Sequence, residues 1–124
     1  MKTIKVSVCI SVHNTAHLLP RCLDSLLKQT MKDLEIVLVN NGSSDNSEDI
    51  MRQYSNHYPQ IQWQIIVQED RGLAQGRQTG INHAIGEYIA FLDADDYVDS
   101  HMYGKLYDCL LYTSDAADDL IGVD

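Results

Sequence analysis

Tyr88-Ile89-Ala90-Phe91-Leu92-Asp93-Ala94-Asp95-Asp96 is an apolar run that ends in three carboxylates within four residues. The run reads as a buried strand, and clustered Asp at its end places hard oxygen ligands at the rim of a sheet. There a divalent cation and a phosphorylated ligand can both be met. Acidic residues also end strands and open turns for reasons of backbone geometry alone. The rest of the chain decides between the two.

Working outward, Ile4 to Val12 alternates, with Ile4, Val6, Val8, Ile10 and Val12 on one face and Cys9 on the other, which predicts a strand. Asn14 or Thr15 is placed to cap a helix whose apolar residues Leu18, Leu19, Cys22, Leu23, Leu26 and Leu27 recur at helical steps. Leu34 to Val39 is a continuous aliphatic run of the kind buried on both faces in parallel sheets. The turn-rich loop Asn40-Asn41-Gly42-Ser43-Ser44-Asp45 follows, then a helix from Ser44 to Tyr54 capped by Ser44 or Asp45 and closed off by Pro59. Trp63 to Val67 is a third strand, Gly72 to Ala84 a third helix, and Tyr88 to Leu92 a fourth strand, with a further helix from about Ser100.

The order β-α-β-α-β-α-β predicts an α/β fold with a doubly wound, mainly parallel sheet. Ligands of such sheets sit beyond the carboxyl ends of the strands. Ser11 to Asn14, Asn40 to Asp45, Gln68 to Gly72 and Asp93 to Asp96 are therefore expected to converge on one crevice. Gly72, Gly76 and Gly80, four residues apart, suit close helix packing better than a phosphate cradle.

The 124 residues suffice for about one domain, and the 44% hydrophobic, 22% charged composition is that of a soluble globular protein. No apolar run approaches the roughly 18 residues of a membrane span. A formal net charge of −9 excludes a general nucleic-acid binder, which needs clustered Lys and Arg. Any anionic ligand must then be held by a metal or by a few placed cations. Cys9, Cys22 and Cys109 form no C-x-x-C pair and read as reduced, mostly buried thiols of a cytosolic protein. His17, His57, His83 and His101 lack metal-ligand spacing and read as surface or structural residues.

Taken together, five ordered segments resemble the nucleotide-sugar-binding half of a family 2 glycosyltransferase of the GT-A fold. Val6-Ser7-Val8-Cys9-Ile10-Ser11-Val12-His13-Asn14 is similar to that family's opening strand, V-S-V-I-I-P-x-Y-N. Leu23-Asp24-Ser25-Leu26-Leu27-Lys28-Gln29-Thr30 with Leu34 to Val39 resembles its first helix and second strand. Asn40 to Asp45 resembles the D-D-G-S-x-D loop, Gly72 to Gly80 the G-L-x-x-A-R-N-x-G helix, and Gly86 to Asp96 the strand and DxD metal motif.

The resemblance implies transfer of a sugar, with inversion, from a nucleoside-diphosphate sugar, in particular a UDP-sugar, to an acceptor hydroxyl on a saccharide or lipid-linked acceptor. It implies Mn2+ or Mg2+ at Asp93, Asp95 and Asp96, with Asp95 the principal ligand and Asp93 shared with the ribose. Ser11, His13, Asn14, Asn41, Ser43, Arg77, Asp93, Ala94 and Asp95 fall in the donor-binding set. Ser11 stands where Pro is common and His13 where Tyr is usual, and an imidazole still stacks on or hydrogen-bonds to a base. Asn41 matches an Asp that accepts from the uracil ring N–H; it keeps one carbonyl acceptor and lacks the charge. Arg77 matches a base- or phosphate-side Arg.

The resemblance runs from about Val6 to Val98, and residues 1–108 are expected to form the N-terminal part of the domain, truncated after the DxD strand. The general base and the acceptor loops are expected in a half that would follow. Cys109-Leu110-Leu111-Tyr112-Thr113-Ser114-Asp115-Ala116-Ala117-Asp118 resembles a translated sequencing adapter, so residues 109–124 are expected to be a non-native tail. Alone, the fragment is expected to bind and not turn over. Members of the resembled family that build surface polysaccharide work from the cytosolic face, so the resemblance allows a cytoplasmic chain peripheral at the inner face of the membrane, on which the residues themselves do not decide. Two other classes stay open on the residues: an idle nucleotide-binding or interaction module, favoured by His13 and Asn40-Asn41, and a nucleotidyltransferase, disfavoured because Ser11 to Thr15 has no Gly.

Overall fold

The structure is a computed structural model and describes residues 3–112. Four strands, β1 (Val6–Val12), β2 (Leu34–Asn41), β3 (Gln62–Gln68) and β4 (Tyr88–Phe91), alternate with four helices, α1 (Leu19–Leu27), α2 (Ser47–His57), α3 (Leu73–His83) and α4 (Met102–Tyr112). All pairings are parallel, in the order β3-β2-β1-β4. The chain winds outward from β1 to β3 and then returns to the other side of β1 with β4. The order reverses between β1 and β4, and that is where a doubly wound sheet leaves a crevice.

Alternation in β1 sorts the two layers. Val6, Val8, Ile10 and Val12 point into the larger core with Leu19, Leu23, Leu26, Met51 and Tyr103. Ser7, Cys9 and Ser11 point to the other face, where α3 crosses. Those side chains are small, and α3 meets them with glycine: a Cβ at Gly80 would lie 3.0 Å from Cys9 Cβ, and one at Gly76 only 2.4 Å from Ser11 Oγ. The expected close packing therefore holds at 76 and 80. Gly72 does something else: it precedes α3 at φ +87°, a conformation that favours glycine, in open space.

On the α3 face, the fully buried Glu35 organises the turn into β4. Its carboxylate accepts from Ser7 Oγ at 2.7 Å, Gln64 Nε2 at 2.7 Å and the Ile85 N–H at 3.0 Å. Ser7 Oγ in turn accepts from the Gly86 N–H at 2.8 Å.

Four local expectations are corrected. Neither Asn14 nor Thr15 caps α1 by its side chain; the Thr15 carbonyl accepts from Leu18 and Leu19 N–H in a preceding turn, and Pro20 starts the helix. Asn14, at φ 51°, instead accepts from the Ser44 N–H at 2.8 Å and the Asp45 N–H at 3.2 Å. Asn40 and Asn41 are not loop but the last rungs of β2, opposite Val67 and Gln68, and each is 3% exposed. Helix α2 starts at Ser47 rather than Ser44, and Asp45 accepts from the Ser47 N–H at 3.0 Å just before it. Tyr88 and Phe91 are only partly buried, since β4 has one strand neighbour among the described residues.

No helix among the described residues is long and apolar enough to cross a membrane. Helix α4 runs through the expected boundary at 108, and the remainder of the expected tail, from 113, lies outside the described residues.

Candidate functional site

The segments after the four strands do converge. Ser11 on β1 and His13 and Thr15 after it, Asn41 on β2, Asp70 and Leu73 after β3, and Asp93, Ala94 and Asp95 after β4 line one cavity of about 330 Å³. A larger cavity of about 550 Å³ lies along α1, lined by residues such as His17, Arg21, Lys28 and Tyr97. The strand ends and the acidic triplet meet at the smaller one, so the chemistry belongs there.

The acidic triplet is gathered by a turn. The Asp96 N–H donates to the Asp93 carbonyl at 3.0 Å, and Ala94, 4% exposed, is anchored in the core. Carboxylate oxygens of Asp93, Asp95 and Asp96 then lie within 4.8 Å of one another, all on exposed side chains. Three hard oxygen donors in that space suit Mg2+ or Mn2+, which take carboxylates and water together. Arg77 Nη2 is 3.6 Å from Asp93 Oδ1, and its guanidinium lies 5.6 Å from the Phe91 ring centroid. Arg77 thus sits against the triplet rather than on a solvated helix face. Beneath the triplet, burial and then the charges of Asp96, Asp95 and Asp93 push the Cys22 thiol up to about 12. Burial does the same to Cys9, which is also pushed to about 12, whereas Cys109 is exposed.

On the opposite wall, His13 Nδ1 is 2.8 Å from the Asn41 carbonyl, and Nε2 is 3.8 Å from Asp70 Oδ2. A carbonyl only accepts, so a proton is assigned to Nδ1, while Nε2 faces the Asp70 carboxylate and lies 3.4 Å from Asn14 Nδ2. The Asn41 carboxamide is fully engaged. Its Nδ2 donates to the Gly72 carbonyl at 3.0 Å and to Asp70 Oδ1 at 3.4 Å; its Oδ1 accepts from Gln68 Nε2 at 3.1 Å and the Arg71 N–H at 3.4 Å.

Of the sequence-expected residues, Ser11, His13, Asn41, Asp93, Ala94 and Asp95 line the cavity, while Arg77 and Asp96 reach it through the acidic triplet. Asn14 and Ser43 brace the loops instead: Ser43 Oγ accepts from the Asn14 N–H at 3.0 Å. Three lining residues, Asp70, Leu73 and Thr15, were not expected as site residues. Asp70 lies in a segment expected to converge, but its role depends on Asn41 beside it. Thr15 lines the same cavity, and its Oγ1 is buried with no hydrogen-bond partner among the described residues. Outside the site, His57 Nδ1 lies 2.9 Å from the Gln53 carbonyl and His83 Nδ1 2.9 Å from the Thr79 carbonyl, each within its own helix, and His101 Nδ1 lies 3.3 Å from Thr30 Oγ1.

The family model for Glycosyl transferase family 2 matches residues 7–119. The uncharacterized glycosyltransferase EpsJ of Bacillus subtilis is 43% identical over 101 residues, which span 82% of this chain and 29% of EpsJ. Glycosyltransferase GlyA of Streptococcus pneumoniae is 39% identical over 114 residues, 91% of this chain and 16% of GlyA. The chain therefore spans about a third or less of the length of these curated relatives. Among solved structures, TarS 1–349 of S. aureus in complex with UDP superposes with a TM-score of 0.81 at 26% identity, covering 88% of this chain and 32% of that one. The mannosyltransferase PcManGT from Pyrobaculum calidifontis, in complex with GDP-Man and Mn2+, gives a TM-score of 0.82 at 26% identity, covering 87% and 32%.

Proposed function

The chain belongs to glycosyl transferase family 2, with the GT-A fold, and from that premise we propose that it is the donor-binding part of an inverting, metal-assisted transferase. The donor is a nucleoside-diphosphate sugar, in particular a UDP-sugar, and the acceptor a hydroxyl on a saccharide or lipid-linked molecule. The observation that carries this reading is the gathering of Asp93, Asp95 and Asp96 at the β1/β4 switch point, beside a cavity lined by polar groups of three other strand ends. TarS holds UDP and PcManGT holds GDP-Man with Mn2+ in the structures this chain resembles.

In this scheme the base end of the donor lies against the His13 ring, above the floor that Asn41 shapes. The His13 ring, oriented by its bond to the Asn41 carbonyl, offers a face for stacking. The Asn41 carboxamide shapes the floor through its four internal bonds. Ser11 and Thr15 supply hydroxyls along the cavity. Asp93, Asp95 and Asp96 would hold Mn2+ or Mg2+, which supplies neutralisation of the charge that develops on the departing diphosphate. Arg77 adds a fixed cation and orients Asp93.

Deprotonation of the acceptor is assigned by this reading to an acidic base in sequence beyond these 124 residues, so the chain alone binds and does not turn over. The segment 109–124 is proposed to be foreign to the parent enzyme, which works at the cytoplasmic face of the membrane.

Titrating UDP into the chain with and without Mn2+, with ADP as the control nucleotide, tests the proposal. Saturable UDP binding that needs Mn2+ is expected; equal weak binding of UDP and ADP regardless of metal would overturn it.

A further inference from the structure

The stretch Leu23 to Thr30, singled out by its sequence, and Arg21 and Cys22 just before it have no part in the donor site as described, yet together they touch the acidic loop at every turn of α1. Arg21 Nη2 donates to the Asp95 carbonyl at 3.0 Å, and its guanidinium lies 4.6 Å from the Tyr97 ring centroid. Cys22 Sγ lies 3.7 Å from the Asp93 carbonyl. One turn on, Ser25 Oγ donates to the Cys22 carbonyl at 2.7 Å and accepts from the Val98 N–H at 3.1 Å. One turn further, Gln29, 1% exposed, donates from Nε2 to the Asp99 carbonyl and accepts the Tyr103 N–H on Oε1 at 3.2 Å. The Thr30 N–H closes the series on the Ser100 carbonyl at 2.9 Å.

On the loop side the hydrogen bonds of Arg21, Ser25 and Gln29 all go to the backbone, and Thr30 adds a side-chain contact, Oγ1 to His101 Nδ1 at 3.3 Å. Positions 21, 25 and 29 fall four apart, so a single stripe of α1 and its C-terminal extension reads out the loop from 93 to 103. That loop contains no regular structure before α4, and its three carboxylates repel one another at close range. Left to itself it would spread.

We propose that this stripe is a template that holds the acidic loop in its cation-binding shape, and that Arg21 is a positioning residue acting through the Asp95 backbone. The proposal rests on the donor-site reading above, which supplies the cation. It makes a prediction of unusual sign. Through space, the positive charge of Arg21 opposes a cation at the triplet, so removing it should tighten metal binding if charge were its only role. As a positioning residue, its removal loosens metal binding.

The test uses the full chain and the variants Arg21→Met, Arg21→Lys and Ser25→Ala. Amide hydrogen exchange of 93–99 is measured without metal, and Mn2+ affinity in the presence of UDP is read from the spin-resonance signal of free Mn2+. Arg21→Met is expected to speed exchange in 93–99 and leave the β1 and β2 amides unchanged. It should also weaken Mn2+ binding by roughly threefold to tenfold, as loss of one ordinary, solvent-exposed hydrogen bond implies. Ser25→Ala should act in the same direction, and Arg21→Lys should recover part of the loss. Since Arg21 is exposed, a folded variant is expected, and Ser25→Ala gives an independent reading if it is not. Unchanged exchange in 93–99, or tighter Mn2+ binding in Arg21→Met, would overturn the template while leaving the donor site intact. A folded wild-type chain that takes up neither UDP nor Mn2+ would instead overturn the donor-site reading, and the template's purpose with it.

Discussion

Gly76 of α3 lies so close to Ser11 of β1 that a Cβ at position 76 would sit 2.4 Å from the serine oxygen and 3.2 Å from its Cβ. The contact seats the first half of α3 on the carboxyl end of β1, and Arg77 follows directly. Gly76→Ala is therefore expected to cost on the order of 2 kcal/mol by overpacking. Chemical denaturation measures it, and Ser11→Gly in the same chain should recover most of the loss. A neutral single substitution would mean that the helix seat is not tight.

Asn41 and Asp70 form a donor–acceptor pair at the floor of the site, with Asn41 Nδ2 3.4 Å from Asp70 Oδ1. Aspartate at 41 would lose both Nδ2 donations and face a second carboxylate. Asn41→Asp is expected to destabilise the fold by about 1 to 3 kcal/mol, and adding Asp70→Asn to restore the greater part. Thermal denaturation of the four chains of that cycle gives the coupling directly; additive effects would refute the pairing.

Glu35 is a buried acceptor for three donors from three different segments. Glu35→Ala leaves the Ile85 N–H without its acceptor and takes one away from Ser7 Oγ and from Gln64 Nε2, which keeps the His83 carbonyl at 2.6 Å, and is expected to cost about 2 to 3 kcal/mol. Urea titration should show the shift in midpoint, and a loss below about 1 kcal/mol would contradict the arrangement.

Acid should loosen the brace between the β1 and β2 loops. Asp45 has its carboxyl held below the ordinary value, chiefly by the Ser47 hydroxyl and further by the Ala16 and Ser47 N–H groups. A folded pKa below the unfolded one means stabilisation that is present above the unfolded value, about 3.9, and is lost as pH falls through the folded one. The stability gap between wild type and Asp45→Asn is thus expected to be constant at neutral pH and to shrink only below about pH 4. Melting curves from pH 7 to pH 3 would show it; a gap that persists at the lowest pH would assign the brace to shape and not charge.

The fold was legible because the parallel sheet writes its strands as apolar runs: the alternation of Val6, Val8, Ile10 and Val12 marked the core face, and Leu34 to Val39 the central strand. The acidic triplet and the convergence of loops were legible for the same reason, since strand ends locate the crevice. What was missed lies where tertiary contacts override local preference. Asn40 and Asn41 favour turns in isolation, yet pairing with Val67 and Gln68 extends β2 through both. Asn14 and Thr15 look like caps, but Asn14 is taken up by the Ser44 and Asp45 amides 30 residues away. Asp70 and Thr15 matter through neighbours that only the folded chain supplies.

The central claim is that the Asp93–Asp96 turn makes this cavity a metal-dependent nucleotide site. The most direct test is calorimetric titration of UDP into wild type and Asp95→Ala in the presence of Mn2+, with folding of both checked by circular dichroism. Metal-dependent binding in wild type that falls by roughly tenfold or more in the variant is the predicted result. Equal UDP affinity in the two folded proteins would contradict it.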